Sequence, residues 1–184
     1  MAQETYLPVL FHLFRRHGYD GVSLAKIAEA TGLGKASLYH HFPGGKAEMV
    51  EATLAYSGRW MAQNIIEPLQ GEGEPRARLV EMCDRISTLY GAGEQPCLLA
   101  SLTLGGSRDK FHGAIGVRLR ALIDAIAAVL IEAGLASELA QQRGEDAVIM
   151  IQGALIVSRG IDDPGPFQRA IAQLPERLWE GLPA

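Results

Sequence analysis

Hydrogen-bond donors suited to nucleic acid are concentrated in one short segment of the chain, residues 35–42. Lys35, Ser37, Tyr39 and His40 supply an ammonium, a hydroxyl, a phenol and an imidazole, and no acidic residue interrupts them. A helix that only needed solvation would carry Glu and Lys on its outer face, whereas these groups donate to phosphate oxygens and base edges. The segment therefore predicts a DNA-binding surface.

The residues before this segment predict a short helix that ends in a tight turn. Ser23 is a good N-cap, and Leu24 and Ile27 follow on one helical face. Gly32 ends the helix, since glycine accepts the left-handed conformation that a C-cap requires. A helix and a turn at this place would position the donor-rich segment.

A second short helix begins near Lys35 and carries the donors on its outer face. Leu38 and Phe42 lie four residues apart and point inward. The side chains left facing outward are Lys35, Ala36, Ser37, Tyr39 and His40. Two helices joined in this way form a helix-turn-helix, whose second helix enters the major groove of DNA.

Lys46 follows the turn residues Pro43, Gly44 and Gly45 and lies at the start of a longer helix. A helix N-terminus that carries a lysine suits a phosphate group. The predicted partner of this surface is double-stranded operator DNA. The predicted DNA-contact residues are Ser23, Lys35, Ala36, Ser37, Tyr39, His40 and Lys46.

This stretch strongly resembles the TetR/AcrR family of bacterial one-component repressors, with a dense match over about the first quarter of the chain. The residues that carry the resemblance are Leu10, Leu13-Phe14, Gly18-Tyr19, Ser23-Leu24, Ile27-Ala28, Thr31-Gly32-Leu33, Ser37-Leu38-Tyr39-His40-His41-Phe42 and Lys46. Two features depart from the family pattern. The Gly44-Gly45 pair adds one residue before Lys46 and resembles a recognised subgroup with the sequence YHHFPGGK. In addition, no Lys or Arg precedes Arg15 to form the basic N-terminal arm that family members often have.

Length and composition predict a compact protein of a reducing compartment. The 184 residues allow one to two small domains, and a hydrophobic content of 48% supports a core. Two cysteines do not make a disulfide framework, and no segment has the pattern of a signal peptide. The apolar run over residues 147–157 is too short to span a membrane. We expect a cytoplasmic protein without a membrane partner.

Charge is distributed unevenly along the chain, although its net value is −4. Residues 1–50 carry five Lys or Arg against four Asp or Glu, whereas residues 51–184 carry twelve against seventeen. A mildly basic head on an acidic body has the polarity expected of a DNA-binding protein. Because the basic excess is small, we expect specific binding to require a dimer.

Helical spacing of apolar residues runs through almost the whole chain, so the predicted fold class is all-α. We expect a three-helix DNA-binding domain at residues 1–46 and a larger effector-binding and dimerisation domain at residues 47–184. The helix that begins near Lys46 should end before Pro68. A short helix from Cys97 to Leu104 should be broken by Gly105-Gly106.

The last two predicted helices, one reaching Arg159 and one spanning about residues 166–180, form the candidate dimer face. The sequence AVIMIQGALIV in the first of them is apolar nearly all round, so it must be covered on both sides. Two such helices from each protomer would form a four-helix bundle about a two-fold axis, a placement that the family resemblance also implies. The predicted homodimer contacts are Met150, Ile151, Ala154, Leu155, Phe167, Ile171 and Leu174.

The family resemblance places the intervening helices around a cavity for a small-molecule effector. The candidate lining residues are Tyr56, Trp60, Met82, Cys83, Ile86, Tyr90, Phe111, His112 and Ile115. Their largely aliphatic neighbourhood suits an apolar ligand, and glycines such as Gly91 and Gly93 are expected to leave room between helices. Residues of these types are more often core, and free cysteines such as Cys83 and Cys97 are more often buried hydrophobes than redox sensors. Both interpretations stay open at this point.

Other classes of site find little support in the sequence. Residues 32–37 lack the upstream glycine and the Lys-Ser/Thr pair of a phosphate-binding loop. His40 and His41 point about 100° apart on a helix, without a third ligand, so we expect no metal and no other cofactor. His41 is instead expected to pack or to bond between helices. The sequence contains no nucleophile elbow and no metal-spaced cluster that would indicate an enzyme.

The combined interpretation is a ligand-responsive DNA-binding regulator, namely a repressor that a small, largely apolar effector releases from its operator. The alternative is a dimeric small-molecule-binding protein without operator recognition. Intact Ser37, Tyr39, His40 and Lys46 favour the regulator, whereas the missing basic arm keeps the alternative open.

Overall fold

A computed structural model describes residues 3–103 and 108–182, and this part of the chain is helical and contains no strand, which confirms the predicted all-α class. After a 3₁₀ turn at Glu4–Tyr6, the helices are α1 (Leu7–His17), α2 (Leu24–Thr31), α3 (Lys35–His41), α4 (Gly45–Met61), α5 (Pro75–Leu89), α6 (Leu98–Thr103), α7 (Arg108–Glu132), α8 (Ser137–Gly160) and α9 (Gly165–Trp179). Among the described residues, no helix has the length and hydropathy needed to cross a membrane.

The chain folds into two compact units. Unit 1 comprises Met1–Arg59 and Cys97–Gly116, and unit 2 comprises Trp60–Pro96 and Val117–Ala184. The helix-turn-helix therefore belongs to a unit larger than residues 1–46, because α6 and the start of α7 pack into it. Helices α4 and α7 each contribute residues to both units. The functional boundary at residue 46 stays a prediction.

Within unit 1, α6 packs closely against the end of α1. Ser101 Oγ donates a hydrogen bond of 2.8 Å to the Arg15 carbonyl oxygen. Gly18 ends α1 with a φ of +65°, and a Cβ at this position would lie only 3.0 Å from the Ser101 carbonyl oxygen. This close packing joins α6 to the three-helix head. The predicted break at Gly105-Gly106 after α6 lies outside the described residues.

The prediction that the fourth helix ends before Pro68 is wrong. Helix α4 continues through a π-helical turn at Ala62–Ile66 into a last turn at Glu67–Leu69. Pro68 has no N–H, so it cannot donate to the carbonyl four residues earlier, which is that of Asn64. Arg85 supplies the missing donor, since its Nη1 lies 2.7 Å from the Asn64 carbonyl oxygen. A donor from a neighbouring helix thus lets the chain remain helical through a proline.

The expectation that glycines loosen the packing is also wrong for Gly93 in unit 2. Gly93 is buried, and a Cβ there would lie 2.9 Å from Cβ of Phe167. Gly144 of α8 likewise faces the Ile123 carbonyl oxygen of α7, which a Cβ would approach to 2.7 Å. At both positions the missing side chain allows a neighbour to approach, so glycine tightens this part of the structure.

Gly144→Ala is expected to lower the free energy of unfolding by about 1–3 kcal/mol, because the added methyl group would push α8 away from the α7 backbone. Gly113→Ala is the matched control, since a Cβ on that α7 residue would meet nothing within 4 Å. The better helix propensity of alanine should there raise stability by roughly 0.5–1 kcal/mol. Urea unfolding measures the free energy of unfolding of both variants and of the original protein. Changes of the same sign in the two variants would contradict the close approach at Gly144.

Candidate nucleic-acid interface

The predicted helix-turn-helix is present, with the predicted residues at its caps. Ser23 Oγ accepts a hydrogen bond of 3.2 Å from the backbone N–H of Lys26, which confirms Ser23 as the N-cap of α2. Gly32 ends α2 in the left-handed conformation, with a φ of +70°. The Thr31 hydroxyl donates to the Ile27 carbonyl oxygen at 2.7 Å and so occupies a free carbonyl of the last turn. These local contacts define both ends of α2.

Helix α3 separates a buried face from an exposed one. Leu38 and Phe42 are 1% and 0% exposed and hold the helix against the core of unit 1. The outward residues are the predicted ones: Lys35, Ala36, Ser37, Tyr39 and His40. Tyr39 is 42% exposed, so much of its ring is accessible to a partner. This face combines several hydrogen-bond donors with the exposed rings of Tyr39 and His40, so it can contact phosphates and base edges at once.

His41 lies apart from this face and packs against the 3₁₀ turn at the N-terminus. Its ring is half-buried, with a centroid 5.2 Å from that of Tyr6. The side-chain amide of Gln3 donates to the His41 carbonyl oxygen. These contacts support the interpretation of His41 as a packing residue.

The two glycines after α3 have separate structural roles. Gly45 has a φ of +66°, which favours glycine, and a Cβ there would touch the Tyr39 ring at 3.5 Å. The backbone N–H of Gly44 donates to the Glu48 carboxylate at 2.7 Å, and a Cβ on Gly44 would lie 3.1 Å from Glu48 Cβ. The Glu48 carboxylate therefore accepts from a backbone N–H near the start of α4, where the sequence had suggested a phosphate site. The extra residue of the PGG turn shapes the support beneath Tyr39.

Lys46 makes intramolecular contacts that sequence reasoning missed. Its Nζ donates to the carbonyl oxygens of Tyr19 and Val22, at 2.9 and 3.0 Å, and lies 4.1 Å from the Tyr19 ring centroid. The Tyr19 ring also lies 5.1 Å from Nζ of Lys110 and 5.4 Å from the Phe111 ring. Lys46 thus fixes the loop between α1 and α2, and one of its three N–H donors remains for DNA. The Gly18-Tyr19 pair was the sequence signal that could have indicated this contact.

Lys46→Met is expected to lower the free energy of unfolding by about 2 kcal/mol, because two carbonyl oxygens lose a charged donor. Lys35→Met is the matched control. Lys35 is exposed on α3, and its replacement should leave stability within about 0.5 kcal/mol of the original value. Chemical denaturation measures the free energy of unfolding of both variants. Equal values would mean that the Lys46 contacts do not stabilise the protein.

The residues predicted to line an effector cavity are distributed over both units. In unit 1, Tyr56 packs edge to face on Phe11, with ring centroids 6.2 Å apart, and Phe111 and Ile115 are buried. His112 is exposed, and its Nδ1 lies 3.1 Å from the Asp109 carbonyl oxygen. This position does not favour the predicted role in lining a buried cavity. In unit 2, the predicted lining residues are Trp60, Met82, Cys83, Ile86 and Tyr90.

Unit 2 contains a small apolar cavity of about 10 Å³. Its lining residues are Met61, Ile86, Leu89, Tyr90, Leu122, Val148, Ile151 and Gln152. Ile86 and Tyr90 belong to the predicted set, whereas Gln152 was not predicted. This volume holds about one water molecule, so a larger ligand must displace the surrounding side chains.

The Cys83 thiol is suited to packing rather than to redox chemistry. Cys83 is 3% exposed. Burial, with a smaller contribution from the charge of Asp84, raises the pKa of Cys83 to about 12. The thiol therefore stays protonated at neutral pH, and the thiolate is the reactive form. The described residues also contain no group of His, Cys, Asp and Glu side chains that could hold a metal ion.

The residues predicted for the dimer interface mostly pack inside one protomer. Those with exposures of 8% or less are Ile151, Leu155, Phe167, Ile171 and Leu174. Met150 and Ala154 are half-buried. The sequence could not distinguish the inner side of α8 from the outer side, because apolar residues cover both.

The outer side of α8 carries an exposed apolar stripe, defined here as Ile149, Gly153, Ile156, Val157 and Gly160. Ile149, Ile156 and Val157 are 67%, 56% and 50% exposed. The spacing of these residues places them on one side of the helix. The stripe is the apolar surface that α8 offers to a second protein.

Comparisons with known proteins agree with this architecture. The chain matches the family described as bacterial regulatory proteins, tetR family, over residues 9–53, and the Transcriptional regulator LmrA/YxaF-like, C-terminal domain, over residues 77–173. It is 27% identical to the HTH-type transcriptional regulator YxaF of Bacillus subtilis, over 95% of this chain and 93% of that one. The regulator LmrA of the same organism is 21% identical over 96% of each chain. A TetR transcriptional regulator of Legionella pneumophila has a similar fold, with a TM-score of 0.83 at 20% identity over 96% of each chain.

Proposed function

Because the chain belongs to the TetR family of bacterial regulatory proteins, with an LmrA/YxaF-like C-terminal domain, we propose that it is a repressor released from its operator by a small, largely apolar effector. Its relatives are transcriptional regulators, which confirms the prediction of a DNA-binding regulator rather than an enzyme. The repressor role, the operator and the effector are the proposed parts.

The outward face of α3 is the observation that carries the DNA-binding proposal. Leu38 and Phe42 fix the helix against the core, so Ser37, Tyr39 and His40 face solvent. We assign Tyr39 and His40 to the major groove and Lys35 to the phosphate backbone. Ser23 and Ala36 lie exposed beside them and complete the proposed contact surface.

The proposed operator complex contains a dimer formed through α8 and α9. The exposed stripe on α8 supplies the apolar surface, and a two-fold axis would place the same stripe of both protomers face to face. The two copies of α3 would then read two half-sites that are related by the same axis. This proposal moves the interface from the buried residues that the sequence predicted to the outer side of α8.

Release requires that the effector binds more tightly to the state that does not fit the operator. Helices α4 and α7 each contribute residues to unit 1 and to unit 2, so a ligand in the body can act on both through continuous helices. The predicted lining residues lie on these two helices and on α5 and its C-terminal end. By linkage, the operator must weaken effector binding by the same factor by which the effector weakens operator binding.

The PGG turn supports a narrower assignment, to a subgroup that carries the sequence YHHFPGGK. Gly45 adopts a φ of +66°, which favours glycine, next to the Tyr39 ring, and Gly44 leaves room for Glu48. We propose that members of this subgroup share the same support for the tyrosine of the recognition helix.

Selection of genomic fragments by the purified protein, followed by footprinting, tests the proposal. We expect a near-palindromic site with half-sites about one helical turn apart. A protein that retains no fragment, or all fragments equally, would instead match the alternative of a small-molecule-binding dimer without operator recognition.

A further inference from the structure

Gln152 of α8 is a polar side chain in the wall of the otherwise largely apolar cavity of unit 2. Its Oε1 is buried, and no hydrogen-bond donor among the described residues contacts it. The neighbouring lining residues Val148 and Ile151 lie on the same helix and are buried apolar side chains. The cavity is therefore lined by one acceptor that has no donor from the protein, among mainly aliphatic residues.

An amide oxygen that receives no hydrogen bond from the protein must accept one from a water molecule or from a ligand, since an unpaired buried acceptor is costly. Ligand sites commonly combine an apolar wall with a few polar groups that orient the ligand. A ligand that donates to Oε1 would recover the lost hydrogen bond, whereas a ligand without a donor would leave the oxygen unpaired. The acceptor thus selects among apolar ligands by their donor group.

We propose that this cavity binds a largely apolar molecule that donates a hydrogen bond, from a hydroxyl or N–H group, to Oε1 of Gln152. The inference rests on the proposed effector function and specifies the chemical class of the ligand. Met61, which is half-buried and conformationally adaptable, lines the same cavity and allows it to expand beyond the present volume of about 10 Å³.

The position of Gln152 also connects the cavity with the exposed stripe. Gln152 directly precedes Gly153, which belongs to the stripe on the outer side of α8. A ligand held by Gln152 would therefore contact the helix that presents the proposed dimer face. A rotation or shift of α8 at this point would alter both surfaces.

Two isomeric probes, cyclohexanol and cyclopentyl methyl ether, test the donor requirement in the full-length protein. They have the same atoms and nearly the same size, but the alcohol alone has an O–H donor. Dissociation constants are obtained from the dependence of the melting temperature on probe concentration. We expect the original protein to bind the alcohol about tenfold more tightly than the ether.

Gln152→Met keeps the length of the side chain and removes the amide. This variant should lose the tenfold preference, mainly through weaker binding of the alcohol. Without ligand it should melt at or above the original temperature, because a buried acceptor without a protein donor has been replaced by an apolar group. Gln63→Met is the matched control at an exposed position of unit 2 and should keep the preference.

Three results would overturn the inference: no binding of either probe, equal affinities in the original protein, or an unchanged preference in Gln152→Met. Operator affinity is measured separately with and without cyclohexanol. Selective binding through Gln152 with unchanged operator affinity would support this site and overturn the proposed release mechanism.

Discussion

Ile156→Glu is expected to convert the proposed dimer to a monomer, with a rise in the dissociation constant on the order of 1000-fold. Ile156 lies in the exposed stripe of α8 and is 56% exposed in the protomer. A two-fold interface would bury the new carboxylate twice, and both copies would lose their hydration. The protomer itself should remain folded, because the side chain is not part of its core. Sedimentation equilibrium and the circular dichroism of the same sample measure the two effects.

Val80→Glu is the control for Ile156→Glu. Val80 is an apolar residue of α5 with a similar exposure of 41%, and it lies outside the proposed interface. It should leave the dimer intact. Ile151→Glu would be a poor test, since Ile151 is 3% exposed and its replacement would disturb the protomer core. A dimer that survives Ile156→Glu would place the interface elsewhere on the protein.

Patterns that depend on neighbouring residues were predictable from the sequence. The caps of α2, the turn at Gly32 and the outer face of α3 follow from spacing and capping over fewer than about 20 residues. The outward set from Lys35 to His40 therefore agrees with the structure. The support of Tyr39 by Gly45 depends on the local φ of a turn, and the sequence indicated only that the turn was one residue longer.

Features that depend on distant residues were not predictable in the same way. Pro68 indicates a helix end until Arg85, on another helix, supplies a donor to Asn64. Apolar periodicity in α8 predicted two covered sides but did not indicate which of them faces the protomer core. The partners of Lys46 and the unpaired oxygen of Gln152 likewise depend on how helices far apart in sequence meet.

Tyr39→Ala is expected to weaken operator binding about 100-fold while leaving the melting temperature unchanged. Loss of a good base or phosphate contact costs about 1.4 kcal/mol per half-site, and the two-fold operator complex contains the residue twice. Stability should not change, because Tyr39 is among the exposed residues of α3 and Leu38 and Phe42 hold the helix.

Tyr39→Phe divides this effect between the hydroxyl and the ring. If the hydroxyl donates to a phosphate or a base edge, the phenylalanine variant should lose most of the affinity. If the ring packs on a thymine methyl group, the variant should keep most of the affinity.

Titrations with the selected operator and with a scrambled duplex separate specific from general binding. A specific contact predicts a much larger loss on the operator than on the scrambled duplex, because the latter depends mainly on phosphate charges. Full operator affinity in Tyr39→Ala would remove the tyrosine from the interface and leave Ser37 and His40 as the remaining candidates on this face.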